Sequence, residues 1–144
     1  MPSQRMDVDG LGAFNFRVEI SGVAANGFTY VSLLEGFTGV IENRAGDQPV
    51  VRKQPGRHTV GNVVLRRHYR GDDELWQWYR SVREGTMDRR DLSIVIDRGD
   101  RSEAHRYNLF QAWPFRWRLG TLDANTDAVL IEEVELAVEM IERA

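Results

Sequence analysis

The chain has 144 residues, no cysteine, 19 basic against 22 acidic side chains and a hydrophobic fraction of 42%. That length is one domain by size and buries roughly 70% of its unfolded surface, so neither disulfide nor metal is needed to hold it together. Missing thiols exclude disulfides, thiolate zinc sites and cysteine nucleophiles, and the interleaved, nearly balanced charge argues against a general nucleic-acid coat.

The chain opens MPSQRMDVDG, which is polar and lacks the apolar core of a signal peptide. Residues 1–13 are expected to be a loose arm, and residues 14–144 the folded domain. No apolar run approaches the ~18 residues of a membrane span. The expectation is synthesis in the cytoplasm with no membrane anchor. Phe14, Phe16, Val18 and Ile20 alternate with Asn15, Arg17 and Glu19, the pattern of a half-buried strand. Gly22 to Gly27 make a turn, Phe28 to Leu34 are a second apolar run, and Phe37 to Asn43 are a further strand candidate.

Residues 44–61, RAGDQPVVRKQPGRHTVG, carry two prolines, three glycines and five basic side chains and offer little to bury. They read as a long projecting loop, and loops beyond ~12–15 residues in a compact domain are usually functional or disordered. Rigid proline beside charged arginine suggests a docking arm. Val63, Leu65 and Arg67 resume a strand. A helix over about 72–84 follows, with Asp72 as N-cap, Asp73 and Glu74 at its positive end, a stripe of Leu75, Trp78/Tyr79 and Val82, and Gly85 past its C-terminus. Trp76 points partly off that stripe and reads as a core-rim aromatic. Leu92, Ile94 and Ile96 begin a hairpin that turns at residues 97–100 and returns through Ala104–Ala112. Trp113-Pro114-Phe115 is expected to break the ladder. Seven or eight strands and one helix give an α+β, mainly β class: an antiparallel β-sandwich or barrel with one flanking α-helix.

The last stretch, LDANTDAVLIEEVELAVEMIE, is locally ambiguous. Val134, Leu136, Val138 and Met140 alternate with Glu133, Glu135 and Glu139 as in a strand. Ile131, Val134, Val138 and Ile141 also share a helical face, and Glu, Leu, Ala and Met favour helix. The Asp-Ala-Asn-Thr-Asp turn suits either outcome.

No motif for catalysis or cofactor binding survives inspection. Asp123, Asn125 and Asp127 begin a calcium-loop spacing, but Ala128 and Val134 occupy the places of the required Gly and Glu. Gly22 and Gly27 have phosphate-loop spacing, yet Phe28 stands where lysine is needed. His58, His68 and His105 lack metal-ligand spacing. Arg98-Gly99-Asp100 and Arg70-Gly71-Asp72 sit where turn and cap chemistry already explain them. No nucleophile motif appears. The reading is a non-enzyme with no catalytic, cofactor-binding or metal residues.

Three ordered pieces carry a resemblance. Phe14-Asn15-Phe16-Arg17-Val18-Glu19-Ile20 precedes Leu33-Leu34-Glu35-Gly36-Phe37; Arg52-Lys53-Gln54-Pro55-Gly56-Arg57 leads into Val63-Val64-Leu65-Arg66 and a tryptophan-bearing helix; Leu122-Asp123-Ala124-Asn125 precedes Val129-Leu130-Ile131-Glu132-Glu133-Val134-Glu135-Leu136. From about Phe14 onward the chain resembles the tail tube protein of contractile phages and phage-like contractile injection particles, related in fold to the type VI secretion tube protein. The resemblance implies hexameric rings that stack into a hollow tube, conducting DNA or protein cargo. It also implies a surrounding sheath and contacts with baseplate and spike proteins. Closing sheets across subunits would remove the open strand edges that make a monomer aggregation-prone. By this resemblance Arg44, Asp47, Arg52, Lys53 and Arg57 make inter-subunit contacts in the arm, and Pro55-Gly56 sets its bend. The last stretch becomes a final strand with Val134, Leu136, Val138 and Met140 inward, a burial worth about 6–12 kcal/mol before entropy. Arg17, Glu19, Arg66 and Glu135 are expected at the lumen or a ring contact. The aromatic run Trp113–Trp117 departs from the pattern and points to an alternative, a tube-initiating or adaptor ring at the baseplate. A monomeric ligand-binding β-barrel is the reading from another class.

Overall fold

A computed structural model of the chain describes residues 10–144 other than 22, 24–26, 45 and 48. Most of the expected N-terminal arm and of the turn after Ile20 therefore lies outside the described residues. Nine strands and one helix are present among the described residues. In chain order they are β1 (Phe16–Ile20), β2 (Phe28–Val31), β3 (Gly36–Asn43), β4 (Arg52–Val60), β5 (Val63–His68), α1 (Glu74–Arg83), β6 (Arg90–Asp97), β7 (Glu103–Leu119), β8 (Ile131–Ala137) and β9 (Met140–Arg143).

Seven strands form one antiparallel sheet in the order β1-β6-β7-β8-β5-β2, with β9 also on β7. The sheet folds over on itself along β7, whose 17 residues serve two layers. Its first half pairs with β6 and β9, its second half with β8. Val18 and Ile20 of β1, Leu92 and Ile94 of β6 and Leu109 of β7 meet Val63 and Leu65 of β5 and Val134 and Leu136 of β8 in one buried cluster. The architecture is a sandwich of two antiparallel layers. β1 and β2 end the strand order without pairing to each other, so the barrel is not closed.

Pro114 does not end the ladder as the sequence suggested. It stays in β7 opposite Leu136 with its ring fully buried, and the register shifts between it and Arg116. A bulge is the place in a paired strand where a missing N–H is tolerated. Just before it, Gln111 adopts a left-handed backbone with φ 56°. Its amide is held by the Asp91 carboxylate at 3.0 Å. The partner strand bends at the same level: Val138 and Glu139 separate β8 from β9, and the Glu139 amide donates to the Phe110 carbonyl at 3.1 Å. This shared corner carries the chain from one layer to the other.

The last stretch is strand, not helix. Val134 and Leu136 are fully buried and Val138 packs against the core, whereas Met140 lies beyond the corner in β9 with half its surface exposed. Placing Met140 inward was therefore wrong, because the bend resets the alternation. Two fully buried side chains contribute about 3–6 kcal/mol before entropy. The local helix preference is at most about 0.7 kcal/mol per residue, and β8 pairs on both edges, so tertiary structure decides.

The helix starts one residue later than expected. Asp73, not Asp72, is the N-cap, and its side chain makes no cap hydrogen bond; Asp73 Oδ2 instead accepts from Gln77 Nε2 at 3.3 Å. The C-terminus follows expectation. Gly85 has φ 92°, its amide reaches the Val82 carbonyl at 3.0 Å and the Thr86 amide reaches that of Ser81 at 3.0 Å. That is a paired C-terminal cap which a left-handed glycine permits at little strain. Leu75 and Trp78 are fully buried. Trp76 stacks edge-on against Trp117 of β7 with ring centroids 4.9 Å apart, fastening the helix to the sheet.

Candidate assembly surfaces

The segment expected as a loop over residues 44–61 is largely strand. β4 pairs with β3 from Asn43↔Arg52 to Gly36↔Val60, leaving only residues 44–51 as the connection. Proline, glycine and charge were misleading signals here, because cross-strand pairs such as Glu42↔Lys53 and Thr38↔His58 suit a ribbon. The Thr38 hydroxyl and His58 Nδ1 are 2.7 Å apart. Irregularity is confined to a register shift between Thr38 and Val40. There a Cβ on Gly56 would lie 3.2 Å from the Gly39 carbonyl oxygen and 3.2 Å from Ile41 Cγ1. Gly56 thus allows the two strands to approach at the bulge.

This two-stranded arm is separate from the seven-stranded sheet. Arg44, Asp47, Arg52, Lys53, Pro55 and Arg57 are all exposed on it, and Gly56 is half-buried between the strands. Exposed apolar side chains accompany them: Phe37, Val40, Ile41, Val50 and Val51. A ribbon with few contacts to the body and unburied Phe, Val and Ile is a surface that lacks its packing partner.

The other four expected contact residues divide between the two layers. Arg17 and Glu19 lie on β1. The Arg17 guanidinium donates to Asp97 through Nε at 2.9 Å and Nη2 at 3.2 Å, and Arg106 Nη1 reaches Glu19 at 2.6 Å. Glu103 completes the group, 2.9 Å from Arg106 Nη2. The hydrogen bond to Asp97 raises the Arg17 pKa, those to Glu103 and Glu19 raise that of Arg106, and Arg106 in turn holds the Glu103 carboxyl below its usual value. Arg66 and Glu135 lie on the other layer. Arg66 Nε donates to Glu133 at 2.6 Å, which raises its pKa, and its guanidinium sits 4.2 Å from the Tyr30 ring centroid. Glu135 lies 3.5 Å from Arg116, and Arg118 lies 3.6 Å from Glu133. The structure therefore brings Arg17 together with Glu19, 3.6 Å apart, but joins neither to Arg66 or Glu135. Each layer presents a charge-paired face.

Sequence reasoning missed a buried network between β5 and β8. Arg67 and Glu132 are 4% and 1% exposed and stand opposite each other in register. Arg67 Nε donates to Glu132 Oε1 at 3.2 Å, Arg67 Nη1 to Glu74 at 3.3 Å, and Trp117 Nε1 to Glu132 Oε2 at 2.9 Å. The signal was present: Glu132 shares the inward phase of Val134 and Leu136, and Arg67 that of Leu65.

Among the described residues no cluster of His, Asp or Glu has the arrangement of a metal site. Among the described residues the surface carries an open groove of about 240 Å³, lined chiefly by apolar side chains between β1 and β2.

A family model described as T4-like virus tail tube protein gp19 matches residues 12–142. No curated protein sequence matches the chain. Among solved structures, a chain of the sheath–tube complex of an extracellular contractile injection system (PVC, extended state) superposes with a TM-score of 0.85 at 22% identity, covering 98% of this chain and 96% of that one. A chain of the anti-feeding prophage baseplate, 6-fold symmetrised, gives 0.81 at 21% identity over 94% and 95% of the two chains. Hcp1 from Flavobacterium johnsoniae gives 0.56 at 15% identity over 91% and 95%. At these identities the structural likeness establishes a shared fold.

Proposed function

The chain belongs to the T4-like virus tail tube protein gp19 family, and from that premise we propose that it is the tube-forming subunit of a phage-like contractile injection particle. In this reading copies close into six-membered rings, the rings stack, and the bore conducts DNA or protein. A sheath surrounds the tube, and baseplate or spike proteins sit at its end. The chain's work is mechanical, and no catalytic or cofactor site is required. Its place is the tail or injection particle, reached after synthesis in the cytoplasm.

The observation that supports this reading is the arm. β3 and β4 stand off the sandwich with their apolar side chains unpacked, and a second copy of the chain is the partner that would cover them. Arg44, Asp47, Arg52, Lys53 and Arg57 supply its polar contacts, and Pro55-Gly56 sets the bend at the bulge. The charge-paired faces around Arg17 and Glu19 and around Arg66 and Glu135 are the candidates for ring contact and bore. The relatives of similar fold include a sheath–tube complex and a 6-fold baseplate, which agrees with both geometry and partners. Of the aromatic run that points to an initiating ring as the alternative, Trp117 is occupied with Trp76 and Glu132 of its own chain, and Trp113 faces Phe115 with ring centroids 6.3 Å apart.

The test is negative-stain electron microscopy beside size-exclusion mass, for the intact chain and for one lacking residues 46–54. The intact chain should give six-fold rings or stacked tubes. The deletion removes the arm's tip and none of the seven-stranded sheet, so it should remain a folded monomer. Stacked tubes from the deletion variant would show that the arm is not the docking element.

A further inference from the structure

Resting on the self-assembly reading above, we propose that the arm of one copy seats in the open seam between β1 and β2 of a second copy. Those two strands end the strand order and do not pair with each other. The groove between them, about 240 Å³, is lined by Leu11, Phe16, Val31, Leu34, Ile94 and Ile96 among others. Leu11, one of its lining residues, is exposed. The sandwich thus leaves a cleft of apolar side chains unfilled by any described part of its own chain.

The arm has the matching chemistry. Phe37, Val40 and Ile41 are 59%, 62% and 53% exposed, which no stable surface of a lone ribbon requires. Residues 36–60 carry four cations (Arg44, Arg52, Lys53, Arg57) against two carboxylates (Glu42, Asp47). The seam is bordered by carboxylates: Glu35 follows Leu34, Asp97 follows Ile96, and Glu103 stands opposite Asp97. Arg17 neutralises Asp97 at 2.9 Å and Arg106 neutralises Glu103 at 2.9 Å, which leaves Glu35 to meet incoming cations. An apolar ribbon flanked by cations fits an apolar cleft with the Glu35 carboxylate at its border.

The contact must be between copies. Leu34 lies just before the arm's root, and at about 3.3 Å per strand residue the course from Gly36 to Ile41 alone separates the two by more than ~16 Å. A disulfide requires Cα atoms within ~7 Å. A head-to-tail contact of this kind uses two different patches on each copy, and closes into a ring when its rotation divides a full turn.

The absence of cysteine makes the test clean. A chain carrying both Leu34→Cys and Ile41→Cys, assembled and then mildly oxidised, should give a ladder of linked species on a non-reducing gel. Each single variant alone should give none, and an equal mixture of the two should stop at dimers. A second pair, Phe16→Cys with Val40→Cys, repeats the measurement should the first pair disturb folding. Particles that assemble normally but yield no ladder with either pair overturn the seam and leave self-assembly standing. Links from residue 34 to the copy's own residues 1–9, placed there by cysteines along that segment, also overturn it, since the seam would then be filled from within. A chain that never leaves the monomer under any condition refutes both this contact and the reading beneath it.

Discussion

Replacing Glu132 by alanine should remove about 3–5 kcal/mol of stability. The carboxylate is 1% exposed and accepts one hydrogen bond from Arg67 Nε at 3.2 Å and one from Trp117 Nε1 at 2.9 Å. A charge-assisted bond contributes about 1.5–3 kcal/mol and a neutral one about 1. The larger effect is what stays behind. Arg67 Nη2 is buried with no hydrogen-bond partner even in the intact protein, and without Glu132 the guanidinium keeps only Glu74, 3.3 Å from Nη1 and itself one-third exposed. Breaking a buried pair from one side costs about 3–5 kcal/mol for this reason. A domain with 5–15 kcal/mol in total would lose a large fraction of its margin. Urea unfolding of the chain at a concentration where it is monomeric reads this directly: at a slope of about 2 kcal/mol/M, the midpoint should fall by about 1.5–2.5 M. The double variant Arg67→Met, Glu132→Leu should recover most of that loss, because apolar replacements of similar volume leave no stranded charge. A single variant that loses less than 1 kcal/mol, or a double variant no better than the single, would refute the claim that the pair is desolvated and coupled.

Two further outcomes follow from the geometry. Gly56→Val should block particle assembly while shifting monomer unfolding by less than about 1 kcal/mol, since the new side chain meets the Gly39 carbonyl and Ile41 within the arm, outside the core; sedimentation and thermal melts separate the two effects. The Glu103 carboxyl should titrate below its ordinary value of 4.5, because Arg106 stabilises its charged form. A depressed folded-state pKa contributes stability above the unfolded value and loses it as pH falls through the folded one. The acid limb of a stability profile should therefore flatten below pH 4.5 in Glu103→Gln, and a carboxylate NMR titration with a midpoint at or above that value would contradict the assignment.

The legible parts of the sequence were those where one physical signal acts alone. Alternation in Phe16–Ile20 and Leu92–Ile96 gave strands, and Gly85 gave the end of the helix. The last stretch was not decidable locally, because β8 is a strand by virtue of two neighbours that the local pattern cannot contain. Proline was misread twice for one reason. Pro55 and Pro114 both sit at register shifts inside paired strands, and a bulge becomes visible only once the partner strand is known. Of the candidate contacts, exposure on the arm was legible from charge. The separation of Arg17 and Glu19 from Arg66 and Glu135 onto different layers was not, since alternation gives the parity of a side chain but not the layer it belongs to. Glu132 was passed over because a carboxylate in a core phase looks like solvated charge until Arg67 is placed opposite it.

β7 gives the molecule a property that side-chain packing could not supply. Its 17 residues belong to both layers, so the two faces of the sandwich are joined along a continuous covalent backbone as well as across an oily interface. Two stacked sheets held by packing alone can shear past one another under load, each contact yielding in turn. Here a force applied along one layer passes through the bend at Gln111 and Pro114 into the other, and sliding would require the ladders with β6 and β8 to fail together. The two layers are braced against sliding in the manner of a folded plate, stiff because its crease is part of the sheet.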